Sequence, residues 1–299
     1  MSRVRGYGKV WNLGHAAVAA LFDGPVEVQE KVDGSQFSFG VIDGELVCRS
    51  KRQQIELSAP GMFDLAVATA MRLAPDLEPG WTYRGEYLRK PKHNVLAYDR
   101  VPKQNMILFD VDKGMEDYRG NAERFLEAER LSLECVPLLK EGTFDDWQTL
   151  KTLLDKQSIL GGQTIEGFVI KGYGRYCDDG KLLMGKYVSE KFKEVHTKEW
   201  KKANPGGKDI LGELADAYRS KSRWQKAVQH LRERGELTGS PQDIGALMKE
   251  VNEDVLVECG EEIRHRLFKW AWKHISRKVA AGLPEWYKEE LAKQQFEEE

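Results

Sequence analysis

Between residues 26 and 49, apolar and polar side chains alternate, and two Asp-Gly pairs interrupt the alternation at 33–34 and 43–44. A period of two is typical of strands with one buried face, and Asp-Gly favours the tight turn of a hairpin. This segment therefore predicts three consecutive antiparallel strands joined by short turns.

A mixture of strands and helices continues to about residue 200, with turns at Pro75 and at 178-DDG. The predicted elements are helices at 62–74, near 121–131 with Asn121 as its cap, and near 145–156, strands at 81–88 and 106–111, and a hairpin of residues 165–174 and 181–189.

The pattern changes after 204-NPGGKD, a segment rich in residues that break regular structure, and it is helical from Ile210 onward. Ser240-Pro241 predicts the start of one helix, and Gly282 with Pro284 predicts the end of another. We therefore expect an α+β domain at 1–203 and a small all-helical domain at 204–299.

Composition limits the cellular setting. No apolar run approaches the roughly 20 residues that cross a bilayer, and the N-terminal residues lack the apolar block of a signal peptide. The four cysteines lie far apart without a CxxC pair, which argues against zinc and against a disulfide framework. These features predict a cytoplasmic protein with reduced thiols, in the host-cell cytoplasm if the gene belongs to a phage.

The formal net charge of −2 does not by itself indicate a nucleic-acid binder. Basic residues are nevertheless clustered, and such clusters are either solvated faces or a stripe that contacts phosphates. The clusters are 51-KR, 89-RKPKH, 191-KFK, 198-KEWKK, 219-RSKSR and 264-RHRLFKWAWK.

Lys31, in the run 30-EKVDGS, is either a surface strand residue beside a hairpin turn or a nucleophile. An amine with a pKa near 10.4 must lose its proton before it can attack, and a glycine turn beside it lets a triphosphate approach. Other candidates are Glu86 within a strand, Phe109 in an apolar strand, Glu166 with Lys171, and Lys186. Glu166 and Lys171 are five residues apart, so a regular strand directs them to opposite faces.

Taken together and in this order, these segments resemble the covalent nucleotidyltransferase superfamily of polynucleotide ligases and mRNA capping enzymes. The matching segments are EKVDG (motif I), RSKRQQ (the basic loop after it), RGEYL (motif III), ILFDV (motif IIIa), EGFVIK (motif IV) and MGKY (motif V), between residues 26 and 194. The similarity is greatest to nick-sealing RNA ligases of the phage and trypanosome RNA-editing type. It implies a nucleotidyltransferase (ATP-grasp-like ligase) domain with antiparallel sheets, followed by the helical domain.

The resemblance also implies roles for the residues around the nucleotide. Lys31 would attack the α-phosphate of ATP and carry AMP, with Glu30 beside the adenine and Asp33 orienting the nucleotide or a metal-bound water. Glu86 would bind the ribose or support the metal site, and Phe109 would stack on adenine. Arg52, or Arg49 as the second candidate, would contact phosphates of the nucleotide or of the RNA end.

Three further roles concern charge. Glu166 would hold the catalytic metal, directly or through water, while Lys171 and Lys186 would neutralise the α-phosphate. The family places two lysines one residue apart in motif V, whereas Tyr187 follows Lys186 here. Either Lys186 acts alone or Lys191 replaces the second lysine.

Together, the roles that the resemblance implies predict an ATP-dependent RNA ligase. It would join 3′-OH and 5′-phosphate ends at nicks in duplex RNA, using Mg²⁺ or Mn²⁺. The helical domain would grip duplex RNA, although Trp270 and Trp272 are more typical of packing anchors. We expect a monomer with no membrane association. The alternatives are an ATP-dependent DNA ligase, an NAD-dependent ligase, a GTP-using capping enzyme and a non-catalytic RNA-binding protein on a ligase scaffold.

Overall fold

A computed structural model describes residues 3–94, 96–189 and 210–289 and confirms the α+β class. The strands are β1 (Trp11–Asn12), β2 (Val26–Lys31), β3 (Ser35–Ile42), β4 (Glu45–Ser50), β5 (Gln54–Ile55), β6 (Thr82–Tyr87), β7 (Met106–Asp112), β8 (Glu134–Cys135), β9 (Leu138–Gly142), β10 (Gly167–Tyr176) and β11 (Leu182–Val188). The α-helices are α1 (Asp64–Leu73), α2 (Asn121–Arg130), α3 (Ile210–Tyr218), α4 (Lys221–Glu233) and α5 (Ile244–Val279). Residues 283–289 are also helical. Short 3₁₀ helices lie at Ala16–Phe22, Gly61–Phe63, Ala74–Asp76, Lys103–Asn105, Trp147–Asp155 and Pro241–Asp243.

The strands form two sheets. Sheet A has the order β1-β11-β10-β2-β9, and sheet B has the order β5-β4-β3-β6-β7-β8. Most neighbouring strands are antiparallel, and the two exceptions are the pairs β1–β11 and β7–β8, which involve two-residue strands. The predicted hairpin of β10 and β11 is confirmed.

The two Asp-Gly pairs behave differently. Asp43 and Gly44 have φ angles of 52° and 81° and join β3 to β4 as a hairpin, as predicted. The prediction of a hairpin at Asp33-Gly34 is wrong, because β2 lies in sheet A and β3 in sheet B. There the Asp33 carboxylate accepts hydrogen bonds from the Leu96 backbone N–H at 2.8 Å and from Asn94 Nδ2 at 3.2 Å. These contacts with another loop direct the chain from one sheet to the other.

Each sheet buries one face in its own apolar core. The core of sheet B contains Phe37, Phe39, Tyr83 and Tyr87 and includes residues of α1 and α2. The core of sheet A contains Val28, Phe168 and Ile170 and includes residues of two 3₁₀ helices. Because side chains alternate along a strand, the remaining positions of both sheets point into the space between them. That space carries the polar residues of the candidate site.

Two helix predictions need correction. The α2 helix begins where predicted, but its N-cap is Gly120, and the Asn121 side chain does not cap it. Instead, Glu27 Oε1 accepts the Asn121 backbone N–H at 2.7 Å, so a carboxylate from β2 satisfies the first turn. The segment near 145–156 is a 3₁₀ helix whose Asp146 side chain accepts the Gln148 N–H. The helix start at Ser240-Pro241 is confirmed, with a capping box between Ser240 and Asp243.

The chain divides into two compact units. The first contains the described residues up to 189 together with Lys221–Glu250, and the second contains those of Val195–Ser220 and Val251–Glu299. The predicted boundary at 203/204 and the 204-NPGGKD linker lie outside the described residues. Helix α4, which the sequence placed in the helical domain, belongs to the first unit.

The second unit has a small core around Leu214, Tyr218 and Cys259. Trp270 and Trp272 do not act as the expected packing anchors, since they are 46% and 55% exposed. No helix in the described part of the chain is both long and apolar enough to cross a membrane.

Candidate active site

Lys31 ends β2, and its side chain points into the space between the sheets. Its Nζ lies 2.5 Å from Glu166 Oε2, and the two side chains are 26% and 14% exposed. Backbone pairing of Lys31 with Gly167 places the start of β10 beside it. The pairing of β2 with β10 therefore joins motif I to motif IV, which are 135 residues apart in the chain.

Burial disfavours the charged form of Lys31, but the nearby carboxylates of Glu166 and Asp33 outweigh it and raise the pKa of Lys31 above its ordinary value. The amine is therefore protonated at neutral pH in the ligand-free protein. It becomes a nucleophile only when its carboxylate partner is drawn away or neutralised.

Glu86, in β6, faces Lys31 from sheet B. Its Oε1 accepts the Gly34 backbone N–H at 3.2 Å. A Cβ at Gly34 would lie 2.7 Å from Glu86 Cγ and 2.7 Å from the Tyr87 carbonyl oxygen, so only glycine fits the turn. Burial raises the pKa of Glu86 to about 8, although Lys31 opposes the shift.

A second lysine–carboxylate pair lies deeper between the sheets. Lys171 Nζ is 2.8 Å from Asp110 Oδ2 and donates to the Phe109 carbonyl oxygen at 2.9 Å. The amine lies 5.2 Å from the centre of the Phe109 ring. Burial lowers the pKa of Lys171 to about 8, although Asp110 opposes the shift.

In the pairing of β10 with β2, Gly167 lies opposite Lys31 and Lys171 lies opposite Glu27. Lys171 is therefore four residues, or about 13 Å, along β10 from the residue that faces Lys31. The structure places the Lys171 amine beneath the Phe109 ring. The expected role of Lys171 at the α-phosphate remains a prediction. Glu166 and Lys171 contact different partners, but the prediction of opposite faces is wrong, because Glu166 precedes the first residue of β10 and both pairs lie on the same face of sheet A.

Sequence reasoning missed the residues around Asp110. Tyr173 Oη donates to Asp110 Oδ1 at 2.7 Å, and Tyr7 Oη donates to Oδ2 of the same carboxylate. The Tyr7 ring also lies 5.3 Å from that of Phe109. Asp110 directly follows Phe109 in the ILFDV run, and a carboxylate inside an apolar strand was the available signal. Tyr7 belongs to no motif.

Lys186 and Lys31 share a face of sheet A. Lys186 pairs with Val169 and Lys31 pairs with Gly167, two residues along β10, so both side chains point into the space between the sheets. The positive charge of Lys186 also acts on Glu166. Lys191 lies outside the described residues.

The remaining predicted residues take separate positions. Arg52 NH2 is 2.6 Å from Glu250 Oε1, and the same nitrogen lies 3.1 Å from His230 Nδ1. Arg49 pairs with Ser38 in sheet B and donates to the Arg52 carbonyl oxygen at 3.1 Å.

Glu30 directs its carboxylate away from Lys31. It accepts hydrogen bonds from Ser158 Oγ at 2.6 Å and from the Ile159 backbone N–H at 3.1 Å. Its expected proximity to adenine remains a prediction, as do the expected roles of Arg49, Arg52 and Asp33.

Within the described residues, no group of three or more His, Cys, Asp or Glu side chains is arranged as a metal site. Glu86 and Glu166 nevertheless offer carboxylate oxygens, the donors that Mg²⁺ prefers. Glu86 is partly buried and has a raised pKa, so it is also a group that a bound cation would keep ionised. The donors therefore fit one divalent cation completed by water and phosphate oxygens.

Comparisons with known proteins place these features in context. A family model described as RNA ligase matches residues 24–188. The RNA ligase of Naegleria gruberi with PPi has a similar structure, with a TM-score of 0.51 and 18% identity, over 63% of this chain and 57% of that chain. A variant of that ligase with ATP and Mn gives the same values. The match thus spans little more than half of these relatives, and at this identity it establishes a shared fold. A search of curated protein sequences found no match.

Proposed function

We propose that this chain, which belongs to the RNA ligase family, is an ATP-dependent RNA ligase that carries AMP on Lys31. The observation that supports the proposal is the Lys31 amine beside Glu166 and Glu86, next to a turn whose Gly34 N–H donates a hydrogen bond to Glu86. ATP and a divalent ion are supported by the structural relative with ATP and Mn.

In the first step, Lys31 Nζ would lose a proton to solvent water and attack the α-phosphorus of ATP. The N–P bond forms, the bond to the β-phosphate oxygen breaks, and pyrophosphate leaves with its electron pair. Because the amine is held protonated by Glu166, ATP binding must weaken that ion pair before attack. The positive charges of Lys31 and Lys186 both act on Glu166. A phosphate placed at Lys31 would also attract Lys186 and so weaken its interaction with Glu166.

Glu86 and Glu166 would hold Mg²⁺ or Mn²⁺, and the bound ion would neutralise charge on the phosphate oxygens. The two carboxylates approach Lys31 from different sheets, so they also fix where the amine points. Phe109 would stack on the adenine, and Lys171 beneath it would keep that ring in place through its bond to the Phe109 carbonyl oxygen.

The later steps use RNA. The AMP would pass from Lys31 to an RNA 5′-phosphate, and a 3′-OH would then attack that phosphate and release AMP. Each step is an in-line displacement at phosphorus, so positioning and charge dominate. The proposal includes a 1–203 adenylyltransferase domain, a 204–299 RNA-binding domain, nicks in duplex RNA as substrate, and monomeric action in the cytoplasm.

The experiment that tests the first step is incubation of the protein with labelled ATP or labelled GTP and a divalent metal. We expect a covalent, acid-labile adduct from ATP, and no adduct with a Lys31→Ala variant. A guanylyl adduct would favour a capping enzyme. Absence of any adduct would favour a non-catalytic RNA-binding protein.

A second experiment addresses the sugar of the substrate. Nicked duplexes are prepared in which the 3′-OH strand and the 5′-phosphate strand are RNA or DNA in each combination. We expect sealing to require ribose on the 3′-OH side. Equal sealing of all-DNA nicks would support a DNA ligase instead.

A further inference from the structure

A group of exposed cations lies on the sheet B side of the lysine site. The segment Arg89–Lys92 follows β6, the strand of Glu86, and contains three cations and no acidic residue. Arg232 on α4 is also exposed. We call these four residues, Arg89, Lys90, Lys92 and Arg232, the cationic surface. In a chain with a formal net charge of −2, such a local excess is notable.

A chain of hydrogen bonds connects this surface to the catalytic turn. The Arg89 backbone N–H donates to His93 Nδ1 at 3.1 Å, so His93 Nε2 carries the proton and donates to Ser35 Oγ at 2.9 Å. Ser35 then donates to Glu233 of α4. Ser35 directly follows Gly34, whose N–H binds Glu86.

The cations of the surface act together on one buried ring. Burial is the main cause that lowers the pKa of His93 to about 4; Asp33 opposes the shift, and Lys90, Arg232 and Arg89 contribute to it. Three positive charges from two separate elements therefore converge around His93. Arg89 also pairs with Asp64 at the protein surface, where such a pair contributes little to stability.

We propose that the cationic surface binds the phosphate backbone of the RNA strand that presents the 5′-phosphate. This inference rests on the proposed function, in which that 5′-phosphate must reach the AMP on Lys31. The rest of the strand then leaves the site across neighbouring protein, and contacts with its phosphates fix its position and direction. Hydrogen bonds through His93 and Ser35 connect the loop of residues 89–92 and α4 to the site. The positive charge of the cationic surface is complementary to the phosphates of such a strand.

The test removes three of the four cations in a Lys90→Ala, Lys92→Ala, Arg232→Ala variant. Binding of a 5′-phosphorylated single-stranded RNA is measured over a range of salt concentrations. Three lost phosphate contacts should reduce the slope of log K against log salt by about 2, and weaken binding by roughly tenfold or more near 0.1 M salt. Transfer of AMP from pre-adenylylated protein to this RNA should fall in parallel.

A matched control removes three exposed lysines elsewhere, in a Lys140→Ala, Lys151→Ala, Lys156→Ala variant. This control should retain wild-type RNA binding and salt slope. If the triple variant of the cationic surface is poorly folded, a Lys90→Gln, Lys92→Gln variant leaves α4 intact and should still reduce the slope by about 1.4.

Formation of the Lys31 adduct from labelled ATP involves no RNA, and its rate separates the two proposals. An adduct at the wild-type rate with weakened RNA binding supports the cationic surface. A wild-type protein that forms no adduct refutes the proposed function, while the RNA-binding measurement still decides the inference. An unchanged salt slope and affinity, or an equal loss in the control variant, would overturn it.

Discussion

The structure contains two lysine–carboxylate pairs on the same face of sheet A. Lys31 and Glu166 are 26% and 14% exposed, whereas Lys171 and Asp110 are 2% and 0% exposed. Net electrostatic effects raise the pKa of Lys31, while burial lowers that of Lys171 to about 8. Each pair joins a lysine of sheet A to a carboxylate, and the two pairs differ in access to solvent and in additional partners.

Because the two pairs differ in access to solvent, we expect them to differ in function. The Lys31 pair can be opened by an entering ligand, because water and phosphate can replace the contact. The Lys171 pair is enclosed by Tyr7, Tyr173 and the Phe109 backbone, so opening it would leave charges without solvation. We therefore expect the first pair to control chemistry and the second to control the shape of the site.

The largest expected effect is that of Lys31→Ala. Removal of the nucleophile should abolish the adduct with labelled ATP, whereas the thermal unfolding midpoint should change by only a few degrees. The reason is that the pair is partly open to solvent, so water can solvate Glu166 when the amine is removed. A measurable adduct in this variant would assign the chemistry to another residue.

An Asp110→Ala variant addresses the enclosed pair. The change leaves Lys171 as an uncompensated buried charge and should lower the free energy of unfolding by about 3–5 kcal/mol, measured by urea denaturation. The control is a double variant, Asp110→Leu with Lys171→Met, which should recover much of the loss because no buried charge remains. A fully stable single variant would show that this pair is not structurally important.

A Glu166→Gln variant tests whether the accessible pair promotes or restrains the reaction. We expect formation of the adduct to slow by about 10²–10³-fold, since loss of a charged group that orients the amine and binds a cation costs several kcal/mol in the transition state. Stability should change little. A faster reaction would mean that Glu166 serves only to keep Lys31 protonated.

The smallest effect concerns pH. Lys31 must lose its proton to react, and Glu86, with its pKa near 8, is mostly neutral below that pH and ionised above it. At a divalent metal concentration that does not saturate the site, the metal competes with the Glu86 proton, and adduct formation should accelerate as pH rises from about 7 to about 9. A Glu86→Gln variant should lack the inflection near pH 8 and retain the remaining rise. An unchanged profile would show that ionisation of Glu86 is not required.

Local sequence patterns predicted most of the elements. The alternation of β2 to β4, the hairpin at Asp43-Gly44 and the Ser240 helix start were predicted because each depends on neighbouring residues. The motif order, taken with the family resemblance, also identified Lys31, Glu86 and Glu166, which the structure brings to one place.

Other features were decided by contacts between distant residues. The direction of the chain at Asp33-Gly34 depends on Asn94 and Leu96, and the partner of Lys171 depends on the packing of β7 against β10. Helix α4 belongs to the first unit, where Ser35 donates a hydrogen bond to Glu233, a residue 198 positions further along the chain.

The amino-acid sequence by itself determined where most strands, helices and turns lie, and it supplied the candidate residues of the proposed nucleotide site. Only the tertiary structure decided which lysine remains accessible and which is enclosed. The physical reason is that a period of two or a turn dipeptide acts over a few residues, whereas burial and charge compensation depend on what the other sheet places opposite.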